Sequence, residues 1–160
     1  MALLYLCTSI IEAMATKLVI GSDHAGYALK EKVKQFISSH FDLDITDVGT
    51  YSEDSTDYPD YAHQAATAVS ADLENTVGVL ICGSGNGISM AANKHAEIRC
   101  ALSWLPEIAE LARLHNNANI VSLPARFIDE NTAFDIVKTF LTTDFEGGRH
   151  ERRVNKIACV

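Results

Sequence analysis

Val77-Gly78-Val79-Leu80-Ile81-Cys82-Gly83-Ser84-Gly85-Asn86-Gly87 is an apolar run that breaks abruptly into small and polar residues. The run does not alternate in polarity, so it predicts a strand, Val77 to Cys82, covered on both faces, as in a parallel sheet flanked by helices. The glycines that follow can take positive φ and aim several backbone N–H groups at one point, and a helix opens from Gly87. A strand, an anion cradle and a helix in that order place a functional loop at the carboxyl end of a strand.

Outward from this stretch, short runs rich in Val, Ile and Leu alternate with longer segments of helical period, the signature of βαβ units. The expected strands are Leu18 to Gly21, Asp44 to Val48, Val77 to Cys82, Arg99 to Ser103 and Asn119 to Leu123. Helices are expected near Tyr27 to Ser39, Asp60 to Leu73, Gly87 to Lys94, Pro106 to His115 and Glu130 to Leu141, with a final helix from about Arg149. The fold class is therefore α/β: a Rossmann-like three-layer α/β/α sandwich with a five-stranded parallel sheet and a C-terminal helix. Ligands of such sheets sit outside the carboxyl ends of the strands. Ser22 to Gly26, Gly49 to Pro59 and Gly83 to Gly87 follow strands and should share that face.

The chain has 160 residues, 48% hydrophobic and 21% charged, which suits one globular domain. Its net charge of −8 argues against a nucleic-acid or anionic-membrane partner, since both need a concentrated positive face. Arg149, His150, Arg152 and Arg153 form a dense basic segment against that acidic background. The cysteines, 7, 82, 100 and 159, form no CxxC pair, so neither a zinc ribbon nor a thioredoxin-type motif is present and a reducing, cytoplasmic setting fits. Ala2 to Ile11 is apolar and precedes Ala13-Met14-Ala15, a spacing that resembles a signal-peptidase site. No Lys or Arg precedes that run, Glu12 interrupts the approach to the site, and the run falls short of the ~20 apolar residues that span a bilayer. Residues 1–16 are read as an N-terminal extension and 17–160 as the domain.

Several constellations could carry chemistry, and each has a plainer alternative. Cys82 stands where the helix dipole favours a thiolate, a usable base near neutral pH; alternatively it is a core cysteine in a tight turn. A dinucleotide fingerprint from Gly83 needs glycine at 88 and a cysteine-phosphatase loop needs arginine there, but the residue is Ile88. Asp23-His24 can reach the strand-end crevice, or Asp23 simply caps the first helix. His115-Asn116 ends a helix, where a histidine also suits the dipole. Arg149 and Arg153, at i and i+4, form a converging pair suited to a phosphate, or an exposed helix start paired to Glu146 or Glu151; Arg126 is a third member.

Taken together, Gly21-Ser22-Asp23-His24-Ala25-Gly26, Asp57-Tyr58-Pro59, Cys82 to Gly87, Ala91-Ala92-Asn93-Lys94, His115-Asn116 and Gly147-Gly148-Arg149-His150 with Arg153 closely resemble the B-type ribose-5-phosphate isomerases. The resemblance implies interconversion of ribose 5-phosphate and ribulose 5-phosphate in the non-oxidative branch of the pentose phosphate pathway. It implies no metal or organic cofactor, and homodimers, often paired into tetramers, whose active sites are shared between subunits. Cys82 would move the proton between C2 and C1. Ser84 and the backbone of Gly83, Gly85, Asn86 and Gly87 would stabilise the enediolate, and His115 of the neighbouring subunit would assist ring opening. Asp23 would hold sugar hydroxyls, Asn116 the reacting oxygens, and Tyr58 would line the pocket. His24, Arg149 and Arg153, helped by Arg126, would hold phosphate. One branch of the family replaces the cysteine by a glutamate after the loop; Cys82 with Ile88 assigns this chain to the cysteine branch. Galactose-6-phosphate isomerase subunits and allose-6-phosphate-active relatives look similar at this level, and a non-catalytic nucleotide-binding module is the reading from another class.

Overall fold

The computed structural model describes residues 10–158. Five parallel strands form one sheet in the order β2-β1-β3-β5-β4, with β1 Lys17–Ser22, β2 Asp44–Asp47, β3 Thr76–Cys82, β4 Cys100–Leu102 and β5 Ile120–Pro124. The central strand β3 is buried at every position, as its uninterrupted apolar run requires. Helices α1 Tyr27–His40, α4 Pro106–Asn116 and α5 Glu130–Thr142 share one apolar cluster with one face of the sheet. Helices α2 Tyr58–Ser70 and α3 Asn86–Ala92 form a second cluster on the other face. Ala62, Ala65, Ala66 and Val69 on α2 are small enough to let that helix lie close to the strands. On α5 the side chains Ile136, Phe140 and Leu141 are fully buried, each contributing about 1.5–3 kcal/mol by removal from water.

The sequence order reverses direction between β1 and β3, which lie side by side with Ser22 opposite Ile81. That is the topological switch point, where the chain leaves neighbouring strands toward opposite faces and a crevice opens. The five expected strands and five expected helices are present, with shifted ends. Helix α2 begins at Tyr58, earlier than the expected Asp60, because Pro59 occupies its first turn, where a missing N–H costs nothing. Strand β4 is shorter than Arg99 to Ser103: the Arg99 N–H is taken by the Asn119 side chain at 2.8 Å rather than by a ladder. The expected helix from Arg149 is a 3-10 turn, Gly148–His150, followed by α6, Glu151–Val154.

Of the expected N-terminal extension 1–16, residues 1–9 lie outside the described residues and 10–16 are laid against the fold. The Ile11 N–H donates to the His40 carbonyl at 2.6 Å, the Met14 N–H to the Leu141 carbonyl at 2.9 Å, and Ala15 is buried in the first cluster. Among the described residues no helix is long and apolar enough to cross a membrane.

Candidate active site

The loop after β3 is built around its thiol. Cys82 is 4% exposed, and the Gly85 N–H points at its sulfur, 3.1 Å away. Gly85 achieves this with φ of +74°, and a Cβ there would run into Leu102, so the position needs glycine twice over. Ser84 is exposed, and its Oγ accepts the Asn86 N–H at 3.3 Å. The Tyr58 ring lies against Gly87 so closely that a Cβ on that glycine would stand 2.5 Å from it. The Arg126 guanidinium lies over Gly83, and its backbone N–H donates to the Gly83 carbonyl at 3.0 Å.

At the neighbouring strand end, the Asp23 N–H donates to the Ile81 carbonyl at 3.2 Å and its carboxylate accepts the Gly26 N–H at 3.0 Å. His24 Nδ1 lies 3.2 Å from both the Thr56 N–H and the Thr56 carbonyl, so the Thr56 backbone holds the ring in either tautomer. Asp23, His24, Tyr58, Cys82, Gly83, Ser84, Gly87 and Arg126 thus line one cleft of about 370 Å³, with Ala25 and the exposed Phe127 completing its walls. Gly85 and Asn86 belong to the same loop. The cleft offers a buried thiol, a glycine-rich loop, a carboxylate, a histidine and an arginine, a set that can bind an oxygen-rich anion and move a proton.

His115, Asn116, Arg149 and Arg153 lie elsewhere. Helix α4 runs back from the carboxyl end of β4 to the start of β5, so its last residues stand at the amino edge of the sheet, opposite Cys82. There the His115 ring stacks on His150 at 4.1 Å between centroids, and the Glu146 carboxylate lies 3.7 Å from His115 Nε2 and 3.5 Å from His150 Nε2. Burial, with the charges of His115 and Arg149, holds the His150 imidazole below its ordinary value. Buried Arg113 ties this corner together, donating to the carbonyls of Thr143 and Ala118, and burial lowers its guanidinium to about 10. Asn116 faces a second cavity of about 570 Å³, beside Lys94, His95 and Ile157.

His115, Glu146 and His150 bring three donor atoms within 4.8 Å of one another. They do not suit a cation. Rings stacked at 9° direct their lone pairs side by side rather than at one point, and the Arg149 Nε lies 3.4 Å from His150 Nε2. Sequence reasoning missed Glu146 and His150 as members of this corner, although the spacing of Glu146 and His150 by four residues was a visible signal. It also missed Lys30 and Asp47, whose link spans two elements.

The sequence profile described as Ribose/Galactose Isomerase matches residues 18–157. Ribose-5-phosphate isomerase B of Escherichia coli is 41% identical over 144 residues, covering 90% of this chain and 95% of the relative. The crystal structure of a ribose 5-phosphate isomerase from Thermotoga maritima superposes with a TM-score of 0.86 at 51% identity, covering 91% of this chain and 99% of that one. The structure of ribose-5-phosphate isomerase B from Mycoplasma genitalium with bound ribulose-5-phosphate superposes with a TM-score of 0.85 at 39% identity, covering 90% and 95% of the two chains.

Proposed function

The chain belongs to the ribose/galactose isomerase family and is an aldose-ketose isomerase of ribose 5-phosphate and ribulose 5-phosphate, and we propose that Cys82 is the base that moves the proton. The observation that carries the proposal is the buried thiol with the Gly85 N–H aimed at its sulfur, at the floor of a cleft lined by anion-binding groups. The sulfur stands where the cleft would bring a sugar carbon, and the thiolate is the form that abstracts a proton.

From aldose to ketose, the thiolate takes the proton from C2 of the open-chain sugar, and the electron pair of that C–H bond moves into the C1–C2 bond. Negative charge passes to the oxygen on C1. The Gly83 to Gly87 loop, through the N–H groups not already bonded to Cys82 and Ser84, and the Ser84 hydroxyl meet that charge, a contribution of about 10²–10³ in rate for one such donor. Protonated Cys82 then returns its proton to C1, and the oxygen on C2 becomes the ketone as its hydroxyl proton passes to the oxygen on C1, which ends as a hydroxyl. Asp23 orients the sugar hydroxyls, Tyr58 forms the wall, and His24 with Arg126 meets the phosphate. The route draws on no metal ion and no organic cofactor.

Ring opening and the rest of the phosphate clamp fall to His115, Asn116, Arg149 and Arg153, which one chain carries at the opposite edge from its own Cys82. The reading that unites the two sets is a homodimer in which each cleft is completed by the amino edge of a second copy, with pairing into tetramers as a further step. A cytoplasmic, reducing setting suits a reaction that depends on an unoxidised thiol.

Purified protein with ribose 5-phosphate, with and without EDTA, tests the reading beside Cys82→Ala. The expected result is wild-type turnover indifferent to EDTA, and a variant whose kcat falls by about 10³-fold or more with KM little changed. A variant that keeps its turnover would remove Cys82 from the reaction.

A further inference from the structure

Lys30 lies on α1 but is fully buried, an expensive place for an ammonium unless its surroundings repay the lost water. Its Nζ donates to both oxygens of Asp47, at 2.7 and 2.6 Å, and lies 3.1 Å from Glu31 Oε1. The rings of Tyr27 and Tyr51 cover it, with centroids 5.6 and 5.2 Å away. Lys34 adds a second ammonium to Asp47 at 2.7 Å. Burial pushes the Asp47 carboxyl up, but the hydrogen bonds from Lys30 and Lys34 outweigh it and hold the group below the usual range.

Asp47 ends β2, and the segment that leaves it runs to the start of α2 along the β1 end of the cleft. Each attachment of that strap is visible. The Gly49 N–H donates to Asp47 Oδ1 at 2.9 Å, and the Tyr51 hydroxyl to the Asp47 carbonyl at 2.9 Å. Gly49 and Thr50 exchange hydrogen bonds of 2.7 Å with both backbone groups of Ser22, the residue before Asp23. Farther along, the Thr56 N–H meets His24 Nδ1, and the strap ends at Tyr58, whose ring lies against Gly87.

We propose that the buried Lys30–Asp47 ion pair is a positioning device for substrate, anchoring the strap 48–57 that holds His24 and Tyr58 in the cleft. The inference rests on the substrate roles given to those two residues above. The pair touches no reacting atom and acts through the strap, so its loss should loosen binding more than chemistry. Cys82 hangs on β3 and keeps its Gly85 donor regardless of the strap.

Asp47→Asn and Lys30→Met, compared with wild type, should each raise KM for ribose 5-phosphate by about tenfold while kcat stays within about threefold. Alkylation of Cys82 by iodoacetamide without substrate should keep its wild-type rate, a readout that general loosening would accelerate. The double variant should be no worse than the worse single, since both remove one anchor; effects that add would show two independent losses. Tyr51→Ala gives a second route if a buried-charge variant does not fold: the residue is exposed, and removal of its side chain takes away one cover of Lys30 and one tether of the strap. A KM rise of about threefold is expected there. Folded variants with unmoved KM, or a KM that rises together with faster alkylation, would overturn the inference while leaving the isomerase reading intact. A wild-type protein without turnover would overturn that reading, and this inference with it.

Discussion

The two edges of the sheet carry the residues proposed for the reaction in different states of completion. At the carboxyl edge the thiol is 4% exposed, the Asp23 carboxylate and His24 ring hold defined hydrogen bonds, and the loop is wedged between Tyr58, Leu102 and Arg126. At the amino edge Asn116, Arg149 and Arg153 are exposed, and His115 has a stacked ring and a carboxylate at 3.7 Å for company. One edge is a socket already shaped by its own chain; the other is a set of long polar arms held at their bases. Groups that stay exposed in one chain are free to meet a second, and the contrast teaches that this chain alone presents two halves facing away from each other.

The largest effect that could break this contrast is complementation. Cys82→Ala and His115→Ala should each be nearly inactive, and co-refolding them in equal amounts should restore about a quarter of wild-type activity, because in the proposed arrangement half of the dimers would be mixed and each mixed dimer would have one intact site. A mixture as inactive as its components would show that the halves do not meet across subunits. Next is the backbone of each edge. Gly85→Ala must hold positive φ and also displace Leu102, so denaturant unfolding should show a loss of roughly 1–3 kcal/mol together with reduced kcat. Gly148→Ala at the amino edge also has positive φ, 55°, but its Cβ would meet open space, so it should cost less, about 1 kcal/mol. Equal losses would erase the distinction between a wedged edge and an open one.

The smallest expected effect concerns His150. Its imidazole sits below the ordinary value of 6.5 in the folded chain, chiefly through burial, so the unfolded chain takes up the proton first. The stability this supplies is present above the unfolded value and is lost as pH falls through the folded one. His150→Gln should therefore show a smaller fall in Tm than wild type between about pH 7 and 5. A Tm fall the same in both proteins would mean that another group governs the acid limb.

The carboxyl edge was largely legible in the sequence because its information is local. An unbroken apolar run with glycines behind it fixes strand, loop and helix within a dozen positions, and Asp23-His24 follows its strand in the same way. The amino edge was legible as residue types but not as a place: which edge His115 occupies depends on the direction of α4, and the company of Glu146 depends on the turn after α5. Lys30 was hidden for a related reason. A lysine in an amphipathic helix reads as solvent-facing, and its partner lies seventeen residues away on another element. The packing of residues 10–16 carried no periodic signal at all, since an apolar stretch without alternation or helical spacing does not announce which surface it will cover.

The depth of the Cys82 sulfur has a consequence for inhibitor chemistry. With the thiol at the floor of a cleft walled by Tyr58, Gly87 and Arg126, bulky thiol reagents meet those walls before the sulfur, whereas a slim electrophile the width of a sugar chain can pass. An anionic tail on such a warhead would be drawn toward the Arg126 guanidinium, so selectivity over surface thiols would come from shape and charge rather than from reactivity.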